Sequence, residues 1–112
     1  MSDLKITSRD AATGPVLEIS GELDYASAGE LRRQVTALVL RPGQRLVLDL
    51  TAMEFCDSSG ITALIAARNH ALAAQAEMAL AAVPANTLRI LRIVGLDQVF
   101  TLYAETDAAT RP

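Results

Sequence analysis

The sequence predicts an α/β domain: a mixed, mostly parallel central sheet of about five strands, opened by an antiparallel hairpin and packed with about four helices. Three observations carry this reading. The runs at 46–50 and 78–83 are almost uninterruptedly apolar, stretches with helical spacing lie between and after them, and Gly14-Pro15 punctuates two short apolar runs near the amino end. Continuous apolar runs suit strands covered by helices, and strands that alternate with helices pair in parallel through crossovers.

In chain order, residues 4–9 and 16–20 read as two strands joined by a turn at Ala11-Ala12-Thr13-Gly14-Pro15. Ser27-Ala28-Gly29-Glu30 has the spacing of a capping box, with Ser27 capping and Glu30 reaching back, so a first helix is expected from Ser27. Its inward stripe is Leu31, Val35, Leu38 and Val39, and Arg41-Pro42-Gly43 stops it. Leu46-Val47-Leu48-Asp49-Leu50 is a central strand, after which Met53, Glu54, Phe55 and Cys56 lead into Asp57-Ser58-Ser59-Gly60. A second helix follows from Ser59, with the stripe Ile61, Leu64, Ile65 and Leu72 and many alanines that permit close approach of a neighbour. Residues 78–83 form another inner strand. Pro84-Ala85-Asn86 begins a third helix with Leu88, Leu91 and Val94 inward, and Gly95 ends it in a left-handed cap. Residues 99–103 give a last short strand, and the polar, alanine-rich tail 104–112 is expected to form at most a turn or two of helix and to add little to the core.

A chain of 112 residues with 51% hydrophobic content suits one domain, 1–112 with its core at about 4–103, that buries a core without disulfides. A net charge of −3 gives no general attraction to nucleic acid or anionic membrane. The start Met1-Ser2-Asp3-Leu4-Lys5 lacks the pattern of a signal peptide, and no run reaches the roughly 18 apolar residues of a membrane span, so a soluble, cytoplasmic protein is expected. Cys56 and His70 are the single cysteine and histidine, which leaves no zinc spacing and no expected metal.

Chemistry concentrates at Asp57-Ser58-Ser59-Gly60, a serine motif between a strand and a helix. In the plainest reading, Asp57, Ser58 or Ser59 simply caps the helix. A second reading makes Ser58 a phosphate acceptor, because the helix start offers free N–H groups and the positive end of the macrodipole. A nucleophilic serine lacks its partner, since His70 lies about three turns along the same helix and the motif is not a Gly-x-Ser-x-Gly elbow. Asp24 and Asp57 both sit between a strand and a helix and should share one sheet edge, with Glu22 nearby; they read as loop and capping residues, because no third ligand completes a magnesium site. Neither a dinucleotide fingerprint nor a P-loop is present. Cys56 reads as a buried structural cysteine, and Arg89 and Arg92 as a solvated face.

Four motifs occur together in order: Gly21-Glu22-Leu23-Asp24, Leu46-Val47-Leu48-Asp49-Leu50, Phe55-Cys56-Asp57-Ser58-Ser59-Gly60-Ile61 and Val94-Gly95-Leu96-Asp97-Gln98-Val99-Phe100. In that set the chain resembles the bacterial STAS-domain anti-sigma-factor antagonists from about Leu4 to Tyr103. The resemblance implies a partner-switching protein and not an enzyme. Its phosphorylated serine would be Ser58, and its partner-binding surface would comprise Glu22, Asp24, Asp57, Ser58, Ser59 and Gly60, with Gly60 keeping the approach open. The implied partners are an anti-sigma factor that is a serine kinase of the histidine-kinase-like ATPase type, which brings its own ATP and magnesium, and a metal-dependent serine phosphatase. The chain itself would need no cofactor. STAS domains also serve as non-phosphorylated scaffolds in larger sensing or transport assemblies, which is the alternative. The tail after Tyr103 is shorter than the closing helix of many members.

Overall fold

The structure is a computed structural model that describes residues 3–112; Met1 and Ser2, counted above in the domain and in the signal-peptide reading, lie outside the described residues. Strand β1 (Lys5–Ala11) folds back on β2 (Gly14–Leu23) in an antiparallel hairpin whose register runs from Lys5 opposite Ser20 to Ala11 opposite Gly14. Ala12 and Thr13 alone make the turn, so Gly14 and Pro15 belong to the strand rather than to the connection. Gly14 has φ +144°, and a Cβ there would lie 2.5 Å from the carbonyl oxygen of Arg45, whose N–H donates to Thr13 O at 2.8 Å. Only glycine lets these two backbones approach so closely.

The remaining strands are β3 (Arg45–Asp49), β4 (Met53–Cys56), β5 (Glu77–Ala81) and β6 (Thr101–Tyr103). The sheet runs β1-β2-β3-β5-β6, with β4 pairing the end of β2, and every pair outside the hairpin is parallel. The mixed sheet, the opening hairpin and four helices are as expected; β4 makes a sixth strand. Its signature is weak because only Met53 and Cys56 are buried in a four-residue run.

Helices α1 (Ala28–Thr36), α2 (Ser58–Ala73) and α3 (Ala85–Ile93) supply the core on one face. There Leu17, Ile19, Leu46, Leu48 and Leu80 from the strands join Leu31, Val35, Leu64 and Leu91 from the helices in one apolar cluster. Alternation along β2 and β3 sends Val16 and Val47 to the other face, where they meet Ala81 and Ala109. The tail therefore does more than expected. Its short helix α4 (Thr106–Ala109) buries Ala109 completely, and Arg45 fixes it by donating to the Ala109 carbonyl at 3.0 Å while stacking over the Tyr103 ring.

Three stripes shift from their expected positions. Helix α1 ends at Thr36, before Arg41-Pro42-Gly43, so Val39 is 87% exposed and Leu40 enters the core instead. Helix α2 turns Gly60, Ala63, Leu64, Ala67 and Ala71 inward and leaves Leu72 exposed. The small residues win because they let the α2 backbone lie close to its neighbours, where dispersion contacts are densest. On α3, Thr87 and Leu91 are buried while Val94 is exposed beyond the last turn. Gly95 adopts φ +79° as the expected left-handed residue, followed by a 3-10 turn at Leu96–Gln98 that carries Phe100 into the core.

Replacing Gly14 with alanine should cost about 2 kcal/mol or more, since the clash is with backbone and adds to the left-handed strain. Urea unfolding of the variant checks this, with Gly43→Ala as comparison: Gly43 also has positive φ but open space around its Cβ position, so its loss should be the smaller of the two.

Candidate functional site

At the carboxyl edge of the parallel strands, three chain segments meet on one side chain. Asp57 is the N-cap of α2: one carboxylate oxygen accepts from the Gly60 N–H at 3.0 Å, and the other accepts from the Tyr25 N–H at 3.2 Å. Its own N–H donates to the Leu23 carbonyl at 3.2 Å. Asp57 thus ties the end of β2, the loop at 24–27 and the start of α2 together, and the cap is Asp57 among the three candidates.

The loop beside it is ordered from within. Asp24 accepts from the N–H groups of Ala26 (3.0 Å) and Ser27 (3.1 Å), the turn geometry typical of an aspartate at a chain reversal. The expected capping box is absent. Ser27 points its hydroxyl back into the loop, donating to the Glu22 carbonyl at 2.8 Å and accepting from the Asp24 N–H at 3.0 Å, and makes no cap bond to α1. Glu30 is engaged instead by Gln34 at 3.1 Å and by Arg33, and hydrogen bonds from Gln34 and Arg33 hold its carboxyl below the ordinary range. The loop takes Ser27 because the Glu22 carbonyl and the Asp24 N–H both lie within hydrogen-bond reach of its hydroxyl.

Ser58 is the first residue of α2 and is exposed. Its carbonyl accepts from the Thr62 hydroxyl at 2.9 Å, whereas its own hydroxyl has no hydrogen-bond partner among the described residues. Ser59 is half-buried and lines a groove between α1 and α2. Glu22 is half-buried and registered opposite Phe55 across the β2–β4 pair. Gly60 is buried, and a Cβ there would meet the Leu23 carbonyl at 2.5 Å and Cys56 Sγ at 2.7 Å. Its missing side chain therefore seats α2 on β2 and reaches solvent only through its neighbours.

Sequence reasoning placed Asp24 and Asp57 at one edge, and the bond from Tyr25 to Asp57 brings them together. It missed two exposed aromatic residues near the motif: Tyr25 is 86% exposed and Phe55 51% exposed. Their positions, Tyr25 after Asp24 and Phe55 two before Asp57, were visible, but their exposure is set by the loop and by the pairing of β4. Cys56 is buried; burial and the neighbouring Asp57 carboxylate push its thiol up to about 12. Among the described residues no three histidine, cysteine, aspartate or glutamate side chains group to hold a metal, and no helix is long and apolar enough to cross a membrane.

The family model of the STAS domain matches residues 4–109. The chain belongs to the STAS-domain family. Anti-sigma-F factor antagonist RsfB of Mycobacterium tuberculosis is 30% identical over 101 residues, covering 90% of this chain and 82% of its own. The crystal structure of an anti-sigma factor antagonist from Mycobacterium paratuberculosis superimposes with a TM-score of 0.84 at 30% identity, covering 98% of this chain and 96% of that one. The phosphorylated form of the Bacillus cell fate determinant SpoIIAA shares the fold, with a TM-score of 0.70 at 17% identity over 96% of both chains. The match reaches Ala109, so the short closing helix of this STAS domain falls within the family pattern.

Three outcomes follow from this geometry. Asp57→Ala should lose about 1–2 kcal/mol in chemical denaturation, the cost of a lost N-cap, and hydrogen exchange at the Tyr25 amide should speed up. Gly60→Ala should be the more damaging, because backbone of β2 has to move. In the folded protein at pH 8 the Cys56 thiol should react with a disulfide reagent at least tenfold more slowly than in urea, since nucleophilic thiolate is scarce there.

Proposed function

We propose that this STAS domain is a phosphorylation-controlled anti-sigma-factor antagonist. Bare Ser58 permits binding to an anti-sigma factor, which releases the sigma factor; phosphate on Ser58 abolishes that binding. The kinase is the anti-sigma factor itself, of the histidine-kinase-like ATPase type, and a metal-dependent serine phosphatase restores the bare form. ATP and magnesium are the kinase's, so the chain is substrate and ligand, and it works in the cytoplasm where sigma factors act.

The observation that carries the reading is the Ser58 hydroxyl, exposed and unbonded on the first residue of α2, with Asp57 already serving as the cap. Because the fold does not use this hydroxyl, modification costs the domain little. The N–H groups of Ser58 and Ser59, in the first turn of α2, donate no hydrogen bond among the described residues, and such a helix start with its dipole favours the charge of a phosphate. Phosphorylation adds about −1.5 to −2 charges. On a partner surface shaped to the bare serine and to the acidic edge of Glu22, Asp24 and Asp57, the added charge and bulk meet steric and electrostatic conflict. A loss of about 3 kcal/mol there weakens binding roughly a hundredfold. The similarity to RsfB supports the same class of partner.

The test uses the purified protein, the anti-sigma factor kinase of the same organism and MgATP. Ser58→Ala should stay folded, take no phosphate and still bind the kinase, whereas Ser58→Asp should bind at least tenfold more weakly. Asp24→Ala should slow phosphorylation with the circular dichroism spectrum unchanged. Phosphate found on Ser59 with Ser58 bare would overturn the site, and no phosphate with any such kinase would leave the non-phosphorylated scaffold as the function.

A further inference from the structure

Two features around Ser58 have no use in the fold. The first is aromatic exposure. The chain has only two tyrosines and two phenylalanines, and one of each is exposed beside the motif: Tyr25, whose N–H donates to Asp57, and Phe55, three residues before Ser58 on β4. Large apolar surface left in water next to a modifiable residue marks a contact site. The second is Gly29, the second residue of α1. It has ordinary helical φ, and a Cβ there would meet nothing within 4 Å. Neither strain nor packing calls for glycine, although glycine weakens a helix relative to alanine. What its bareness does is keep open a groove of about 230 Å³ walled by Tyr25 of the preceding loop, by Arg32 on α1 and by Ser59 and Thr62 on α2.

We propose that Tyr25, Phe55 and the Gly29 groove form the anchoring surface for the anti-sigma factor. This rests on the function proposed above. The two rings supply the apolar area that gives affinity; Tyr25 is tied through its N–H to Asp57, and Phe55 lies three residues before Ser58, so a protein that closes over Ser58 is placed to bury both. The groove receives one projecting side chain of that protein. The residues beside the two aromatics are acidic: Asp24 precedes Tyr25, Glu54 precedes Phe55, Glu22 is registered opposite Phe55 and Asp57 accepts from the Tyr25 N–H, so the matching surface is an apolar recess accompanied by basic residues. The serine then acts as the switch, and the aromatic pair as the grip that the switch releases. Aromatic residues at the centre of interfaces carry a disproportionate share of binding energy, while charged rims set encounter rate and register.

The experiment measures equilibrium binding of unphosphorylated protein to the anti-sigma factor kinase that phosphorylates Ser58, by titration calorimetry. Tyr25→Ala and Phe55→Ala should each weaken binding about tenfold or more, Tyr25→Phe should bind like wild type because area and not the hydroxyl is used, and Gly29→Phe should weaken binding by plugging the groove. The three positions are exposed, with open space around the Gly29 Cβ position, and unchanged thermal unfolding confirms that the fold is intact. Wild-type affinity in Tyr25→Ala, Phe55→Ala and Gly29→Phe overturns the anchoring surface while leaving the Ser58 switch standing. Failure of wild-type protein to bind the kinase, or undiminished binding of Ser58→Asp, overturns the underlying function instead. A fall in self-association of the alanine variants by analytical ultracentrifugation, with kinase binding unchanged, would assign the surface to a second copy of this chain and overturn the proposal.

Discussion

Everything at the carboxyl edge of this sheet hangs on the two oxygens of Asp57. One closes the first turn of α2 and the other holds the loop that follows β2, while the Asp57 backbone pairs with the end of β2. A carboxylate can accept several hydrogen bonds at once, and one bonded to backbone N–H groups is worth roughly twice a neutral pair. Asparagine would satisfy one side with its oxygen and present donors to the other, where another donor already waits. The constraint is therefore on charge as well as on shape.

That arrangement frees the residue after it. Because Asp57 caps the helix, Ser58 has no structural task, and its hydroxyl can be modified without dismantling the turn. Gly60, three residues on from the cap, lets α2 sit against Leu23 and Cys56, so the helix start is rigidly registered on β2. A rigid site with one expendable hydroxyl suits a switch that changes what binds rather than how the domain folds. The conformational cost of ordering the loop is met inside the loop itself, by Asp24 and Ser27, before any partner arrives.

The second face of the sheet follows a different logic. It is polar over much of its width, with ion pairs between Arg9 and Glu18 and between Arg45 and Glu77, and only the small cluster around Ala109 is buried. These pairs are exposed or partly so and contribute little to stability individually. Asp49 lies on this side too. Burial pushes its carboxyl up, but hydrogen bonds from the Thr51 hydroxyl and N–H and from Thr106 outweigh that and leave it below the ordinary range. The closing helix is thus held to the sheet by Arg45 and one buried alanine rather than by a broad apolar stripe.

The sequence by itself determined the layered α/β plan, because continuous apolar runs and helical spacing are local patterns, and it singled out Asp57-Ser58-Ser59-Gly60 as the candidate site, because motif order along the chain is also local. It did not reach the faces. Val39, Leu72 and Val94 look as apolar as Leu40, Ala71 and Leu91, yet only the latter are buried, since which way a helix turns depends on how closely its alanines and glycine let it approach the sheet. Ser27 satisfied a capping pattern in sequence, and only the proximity of Glu22 and Asp24 in space diverted its hydroxyl. The tertiary structure alone decided that Asp57 is the cap, that Ser58 is left free, and that Tyr25 and Phe55 face outward, because each outcome depends on segments some 30 residues apart meeting at one edge.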